Sequence, residues 1–291
     1  MRRVADYVTG EPFEVWCCRR CGFGVTRPRP ADLDRYYPPA YRKYGGAAGF
    51  ALRWLYERRA RRWARALPSR GTALEIGCGE GWMLRALRRR GWRVVGVERA
   101  SAPDPGGAVD RIPMFVGDLR AIRAAPRFDL VVLFQTLEHL DDPSGVLRTC
   151  AAVVRPGGRI VVAVPNFASW QAMLFGGAWF HLDPPRHLSH FSRESLRRFL
   201  EAAGFRVERV SYMSWEHDPY GWVQSALNAL GFPPNLLTRG LMDRDRRLLG
   251  GGRGALMLGV TVALLPAAVV CALASWVGGA GAIIEVQAVR A

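Results

Sequence analysis

Between Thr72 and Arg209 short β-branched runs alternate with segments of helical period. "TALEIG", "WRVVGVE", "IPMFVGD", "FDLVVLFQ" and "RIVVAVPN" read as strands, almost continuously apolar as strands covered on both faces are. Between or after them "GWMLRALRRR", "PSGVLRTCAAVV" and "SRESLRRFLEAAG" carry apolar residues at helical spacing. Strands that alternate with helices pair in parallel and build a doubly wound α/β sheet. "FRVERVSYM" and the terminal "AIIEVQAVRA" supply two more strands, for seven in a mostly parallel Rossmann-like sheet. Upstream, "GFALRWLYERRARRWARAL" (49–67) predicts a basic helix, its apolar positions being Leu52, Leu55, Tyr56, Trp63 and Leu67.

Outside this core the pattern fails in two different ways. Residues 1–45 are rich in Cys, Pro, Gly and Tyr without a period and read as a small irregular module held by Phe13, Trp16 and Phe23. The core is expected over 46–212, a helical and partly hydrophobic insert over 213–280, and the last core strand over 281–291. Within the insert no charged residue occurs from Gly254 to Ile284, more than the roughly 20 apolar residues that cross a bilayer. Arg239, Arg244, Arg246, Arg247 and Arg253 precede that run, on the side expected to face the cytoplasm. A single crossing would strand the last β-segment on the wrong side of the membrane. With Pro266 near the middle and Gly278, Gly279 and Gly281 near the end, the run predicts a bent, re-entering membrane segment, Trp276 sitting at the headgroups. The competing arrangement is a buried helical pair.

The net charge of +16 changes this picture little. Of the 41 basic residues all but Lys43 are Arg, a compositional bias that spreads charge over every solvated face and disfavours a dedicated nucleic-acid surface. Six scattered cysteines form no disulfide framework, and the polar opening "MRRVADYVTGEPFEV" does not read as a signal peptide. Both features favour a cytoplasmic setting, at the inner face of the membrane.

Candidate chemistry gathers at the first strand-to-helix turn, where doubly wound sheets bind ligands. "LEIGCGEG" places Gly77, Gly79 and Gly81 there, with Glu75 in the strand and Cys78 between the glycines. The dinucleotide fingerprint needs its third glycine at position 82, which is Trp, and no Gly-Lys-Ser/Thr follows, so NAD and P-loop sites are disfavoured. Glu98 closes the second strand, where a carboxylate accepts from ribose hydroxyls. Asp118 and Leu119, after the third strand, stand where an adenine amine is received. These features describe an adenosine site without a phosphate loop.

"LEIGCGEG", "VVGVE", "VGDL", "FDLVVLFQTLEHLDDP" and "VVRPGGRIVVAVPN", in this order and spacing, resemble the class I S-adenosylmethionine-dependent methyltransferases. The resemblance runs from about Thr72 to Arg209, and "DPPRHLSHFSRESLRRFLEAAGF" and an N-terminal cysteine module resemble one branch of that family. It implies S-adenosylmethionine as cofactor, its carboxylate facing the amides after Gly79, its ammonium near Glu75, and Gln135 lining the methyl-transfer face. A base, where the acceptor needs one, would come from His139, His187 or His190. "WCCRRCGFGVTRPRP" is similar to the second half of a zinc ribbon, but no Cys or His precedes Cys17, and no metal is assigned. The expected activity is methyl transfer to a small, lipid-like or glycosylated acceptor. A catalytically silent membrane-attached module and an RNA methyltransferase are the alternatives; "FQTLEH" at the end of the fourth strand lacks the motif for methylating base amines.

Overall fold

The computed structural model describes residues 2–37, 46–65, 67, 71–98, 112–117, 128–242 and 250–291. In chain order the elements are β1 (Arg2–Ala5), β2 (Pro12–Cys17), β3 (Gly24–Arg27), α1 (Gly46–Ala64), β4 (Thr72–Ile76), α2 (Trp82–Arg88), β5 (Arg93–Glu98), β6 (Met114–Val116), β7 (Phe128–Phe134) and α3 (Pro143–Val153). They continue with β8 (Val154–Pro165), α4 (Trp170–Phe175), β9 (Ser189–His190), α5 (Arg193–Ala202), β10 (Phe205–Ser211), α6 (Asp218–Ala229), α7 (Leu236–Met242), α8 (Gly251–Val277) and β11 (Ile283–Arg290). The chain divides into two compact units, Phe50–Val164 with Ser195–Val210 and Glu285–Ala291, and Met1–Gly49 with Pro165–Glu194 and Ser211–Ile284.

The first of these units is built on a seven-stranded sheet in the order β10-β11-β8-β7-β4-β5-β6, as the alternation of the sequence predicts. The pairs β4–β5, β4–β7, β5–β6 and β7–β8 are parallel. Residues 130–134 of β7 and 160–165 of β8 are all buried, which explains why those runs are continuously apolar. On α2, Met83, Leu84, Ala86 and Leu87 turn inward while Arg88 faces solvent. The terminal strand β11 lies inside the sheet, between β10 and β8.

The basic helix α1 turns part of its charge inward, while Arg53, Arg58 and Arg61 stay exposed. Its Arg59 and Arg62 close on the buried Glu285 of β11, where the Trp63 indole also donates at 3.0 Å. Burial would push the Glu285 carboxyl up, but the two guanidiniums hold it below the usual carboxylate range.

In the other unit the N-terminal segment, expected to be irregular, forms a four-stranded sheet β1-β2-β3-β9. Phe13 is buried against Tyr36 at 5.6 Å and Phe23 stacks on Phe191 at 5.3 Å, whereas Trp16 is exposed and contributes nothing to a core. The strands escaped the sequence pattern because they are four to six residues long and only half-buried.

The uncharged run corrects a second expectation. It folds as one uninterrupted 27-residue helix, α8, with Pro266 inside it, and not as a bent re-entering segment or a buried pair. Gly254, Met257, Ala268, Ala272 and Ser275 face inward, at helical spacing, along its length. Met257 and Ala268 share an apolar cluster with Val223, Leu227, Leu236 and Leu237 of α6 and α7. A polar network ties α6 to α7: the Gln224 carbonyl accepts from the Thr238 amide at 3.1 Å, and Asn228 donates to Asn235 at 3.0 Å. Trp276 is held by protein contacts: its indole donates to Asp218 at 2.7 Å and its ring meets Trp215 edge-on at 4.7 Å.

Candidate active site

Strand β4 runs into a loop whose three glycines all take left-handed backbone conformations, φ being 71° at Gly77, 49° at Gly79 and 69° at Gly81. An L side chain strains in that region. At Gly77 space forbids one as well, since an added Cβ would lie 2.4 Å from the Thr136 hydroxyl. Gly79 is different. Among the described residues nothing stands within 4 Å of its missing Cβ, so they leave the main chain there open to approach.

Parallel pairing sets Glu98, at the end of β5, beside this loop, and its carboxylate accepts the Gly79 N–H at 2.8 Å. One oxygen of Glu98 is thereby oriented by the loop itself. Glu75 is buried at 4% exposure in β4, and its Oε2 has no hydrogen-bond partner among the described residues. Burial, and then the negative charge of Glu98, push its carboxyl well above the usual range. Gln135 closes β7 with φ at 53°, uncommon for a residue with a side chain, and its buried Nε2 also lacks a partner among the described residues. Two buried polar atoms left unmet by the described residues at adjacent strand ends cost free energy unless a further group meets them. A carboxylate fits an ammonium, and an amide fits a polar atom of the same ligand.

Cys78 packs its buried thiol against Val97 and Met114, which leaves only its main chain for a ligand. Asp118 and Leu119 lie outside the described residues. His139 is half-buried in a single 3-10 turn, Leu137–His139, just after β7, with Nε2 4.0 Å from the Glu138 carboxylate. Glu138 is 1% exposed, a buried acid that the sequence reading passed over. Also missed were Tyr56, read only as an apolar helix position, and Trp82, read only as a failed fingerprint. Their rings meet at 5.7 Å, and Tyr56 meets Phe134 at 5.4 Å, forming an aromatic group beside the glycine loop. An aromatic that closes a helix turn toward the loop end of the sheet was the available signal.

His187 and His190 belong to the other unit, in a segment stitched to the N-terminal sheet. Thr26 donates to the His187 carbonyl at 2.6 Å and lies 2.9 Å from the His190 Nε2. His187 Nδ1 is 2.9 Å from the His181 carbonyl. The neighbouring Arg186, wholly buried, pairs with Asp6 at 2.8 Å and Asp183 at 2.7 Å. His190 stacks on Phe167 at 5.2 Å, and burial together with the Arg2 charge takes its imidazole down to about 3. A ring held neutral and hydrogen-bonded in this way has the surroundings of a packing residue.

A mostly parallel sheet with a glycine turn after one strand and a carboxylate at the end of the next is the architecture of a Rossmann-like fold. Residues 51–210 match the family model described as methyltransferase domain. The chain belongs to that family and is a class I S-adenosylmethionine-dependent methyltransferase. It is 29% identical over 168 residues to a ubiquinone biosynthesis O-methyltransferase of Xanthomonas axonopodis pv. citri, covering 53% of this chain and 70% of that one. With the protein of the same description from Aeromonas salmonicida the identity is 29% over 152 residues, covering 47% of this chain and 64% of that relative. Among solved structures, a SAM-dependent methyltransferase from Archaeoglobus fulgidus superimposes with a TM-score of 0.50 at 19% identity, over 82% of this chain and 94% of the other. That last likeness concerns the fold alone.

Proposed function

We propose that this methyltransferase acts on a small, lipid-like acceptor, at a hydroxyl oxygen, while attached to the inner face of the membrane. The observation that carries the site assignment is the pairing of a glycine loop with Glu98 and with two buried atoms, Glu75 Oε2 and Gln135 Nε2, that have no partner among the described residues. S-adenosylmethionine supplies a methyl group already activated by its sulfonium. In this reading the main chain of Gly77, Cys78, Gly79 and Gly81 cradles the methionine portion, and Glu75 receives its ammonium. Glu98 holds the ribose hydroxyls, Asp118 and Leu119 take the adenine edge, and Gln135 lines the face of transfer. The relatives' O-methylation supports oxygen as the acceptor atom, and the uncharged 254–284 run supports an acceptor dissolved in the bilayer.

An oxygen acceptor gives up its proton as the methyl group arrives, so a base within reach speeds the reaction. Of the three candidate histidines, His139 follows β7 directly and is only half-buried, and we assign the base to it. His187 is the second choice, and the surroundings of His190 favour a structural part.

Titration calorimetry of the purified protein is expected to give one S-adenosylmethionine per chain. Radiolabelled methyl transfer into the lipid-extractable fraction of bacterial membranes is the companion assay. Label appearing only in water-soluble products would refute the lipid-like acceptor, and label appearing in RNA would replace the reading altogether.

A further inference from the structure

Helix α8 is apolar on both sides. Its inward stripe packs on protein, as described above. On the other side Leu256, Leu258, Val262, Leu265, Val270, Leu273 and Val277 are each between 41% and 92% exposed. The exposed positions between them, such as Ala263, Pro266, Ala267 and Ala274, are apolar as well. From Gly254 onward no exposed residue of the helix has a polar side chain. A face about 40 Å long, at about 1.5 Å per residue, exceeds the apolar patches that soluble monomers carry.

Two features choose the occupant. Charge complementarity is the first: Arg239, Arg244, Arg246, Arg247 and Arg253, outnumbering Asp243 and Asp245 among them, flank the start of the helix in sequence. That pattern draws anionic headgroups. The second is the lack of polar side chains on the face. Protein partners of such size meet through a polar rim and about one hydrogen bond per 100–200 Å², which this face cannot supply, whereas acyl chains need none.

Packing also sets the orientation. Inward residues recur from Gly254 to Ser275, so no length of the helix is clear of protein on that side. The α6–α7 layer against it is held by the Gln224, Asn228, Asn235 and Thr238 network, which suits a water-facing body. At the C-terminal end Trp170 packs against Gly278, where an added Cβ would lie 2.9 Å from its ring, and stays 39% exposed. Trp215 is 47% exposed beside Trp276, and Met173 and Leu174 of α4 are 63% and 69% exposed. Half-exposed indoles at the edge of an apolar face are interfacial anchors.

We propose that α8 lies in the plane of an anionic bilayer surface, its outer face sunk among the acyl chains, with Trp170 and Trp215 at headgroup level. This rests on the membrane-contact reading given above and specifies its mode: immersion of one face, without crossing.

The test is flotation of the full chain with preformed vesicles of phosphatidylcholine, with and without phosphatidylglycerol. The protein is expected to float with the mixed vesicles and to bind pure phosphatidylcholine several-fold more weakly. The double variant Val262→Asp/Val270→Asp, altering only exposed positions, is expected to lose roughly tenfold or more of vesicle binding while keeping its S-adenosylmethionine affinity. Fluorophores placed at 256, 262, 270 and 277, in a chain with Cys17, Cys18, Cys21 and Cys271 replaced, are expected to be quenched by nitroxide lipids at one common shallow depth. A depth profile deepest at 262–266 and shallow at both ends would mean a crossing helix and overturn the proposal. So would a protein that ignores both vesicles, including one whose apolar face is covered by a second copy in sedimentation analysis. Loss of S-adenosylmethionine binding with vesicle binding intact would instead count against the enzyme site, leaving the surface standing.

Discussion

Glu98 is already oriented by the Gly79 amide before any ligand arrives. Replacing it by Ala removes a charged acceptor from a ligand's hydroxyls, which costs about 2–3 kcal/mol of affinity. Calorimetry on Glu98→Ala is expected to show that loss with the thermal midpoint little changed. Gly77→Ala, by contrast, forces a Cβ into the Thr136 hydroxyl at a left-handed backbone position, and is expected to abolish cofactor binding together with some stability. For His139→Ala the expected signature is a fall in kcat of roughly 10²–10⁴ with cofactor affinity unchanged, read from initial rates and calorimetry in parallel. An unaltered kcat would move the base elsewhere. At this scale the glycines and Glu98 were legible from their spacing relative to strand ends, whereas Glu75 and Gln135 entered through the family resemblance. Glu138 and the Tyr56–Trp82 contact were not, because burial and ring contact depend on how separate segments meet.

Two elements are fastened by single carboxylates of opposite electrostatic character. Glu285 binds α1 to β11 through Arg59 and Arg62, and Glu285→Gln would leave Arg59 buried without its counter-charge. Breaking a buried pair from one side costs about 3–5 kcal/mol, to be seen as an earlier urea transition. Asp218 fastens the start of α6 to the end of α8 and to the Ala282 amide, which donates at 2.8 Å. Burial raises its carboxyl to about 7, against the hydrogen bonds from Trp276 and Ala282. The folded chain therefore keeps a proton there that the unfolded chain gives up near pH 4. Stability from this group is fully present below that point and is lost as pH rises through about 7, by about 4 kcal/mol at most. Thermal unfolding between pH 5 and 8 is expected to show the decline, and Asp218→Asn to flatten it. Elements with long apolar runs announced themselves in the sequence. The α6–α7 pair did not, because its inward positions include Gln224 and Thr238, which look solvent-facing until they are seen to bind each other. The shape of α8 was misread because proline and glycines were taken as bends, whereas Pro266 sits on the exposed side of a helix that continues through it.

At the scale of the molecule, α8 is both surface and scaffold. Met257 and Ala268 close the cluster with Val223, Leu227, Leu236 and Leu237, so excising 255–277 would uncover α6 and α7 as well as remove the apolar face. Fractionation of cells is expected to place the intact protein with membranes, retained in high salt and released by detergent. Substitutions confined to the exposed face are expected to shift it to the soluble fraction without loss of fold, whereas the excised protein is expected to aggregate.

The position of β11 has a consequence for biosynthesis. Because it fills the gap between β10 and β8, the sheet stays split in two until β11 itself has left the ribosome. By then α8, with its exposed apolar face, has already been translated. The apolar face of α8 is thus exposed before the sheet that carries the glycine loop is whole.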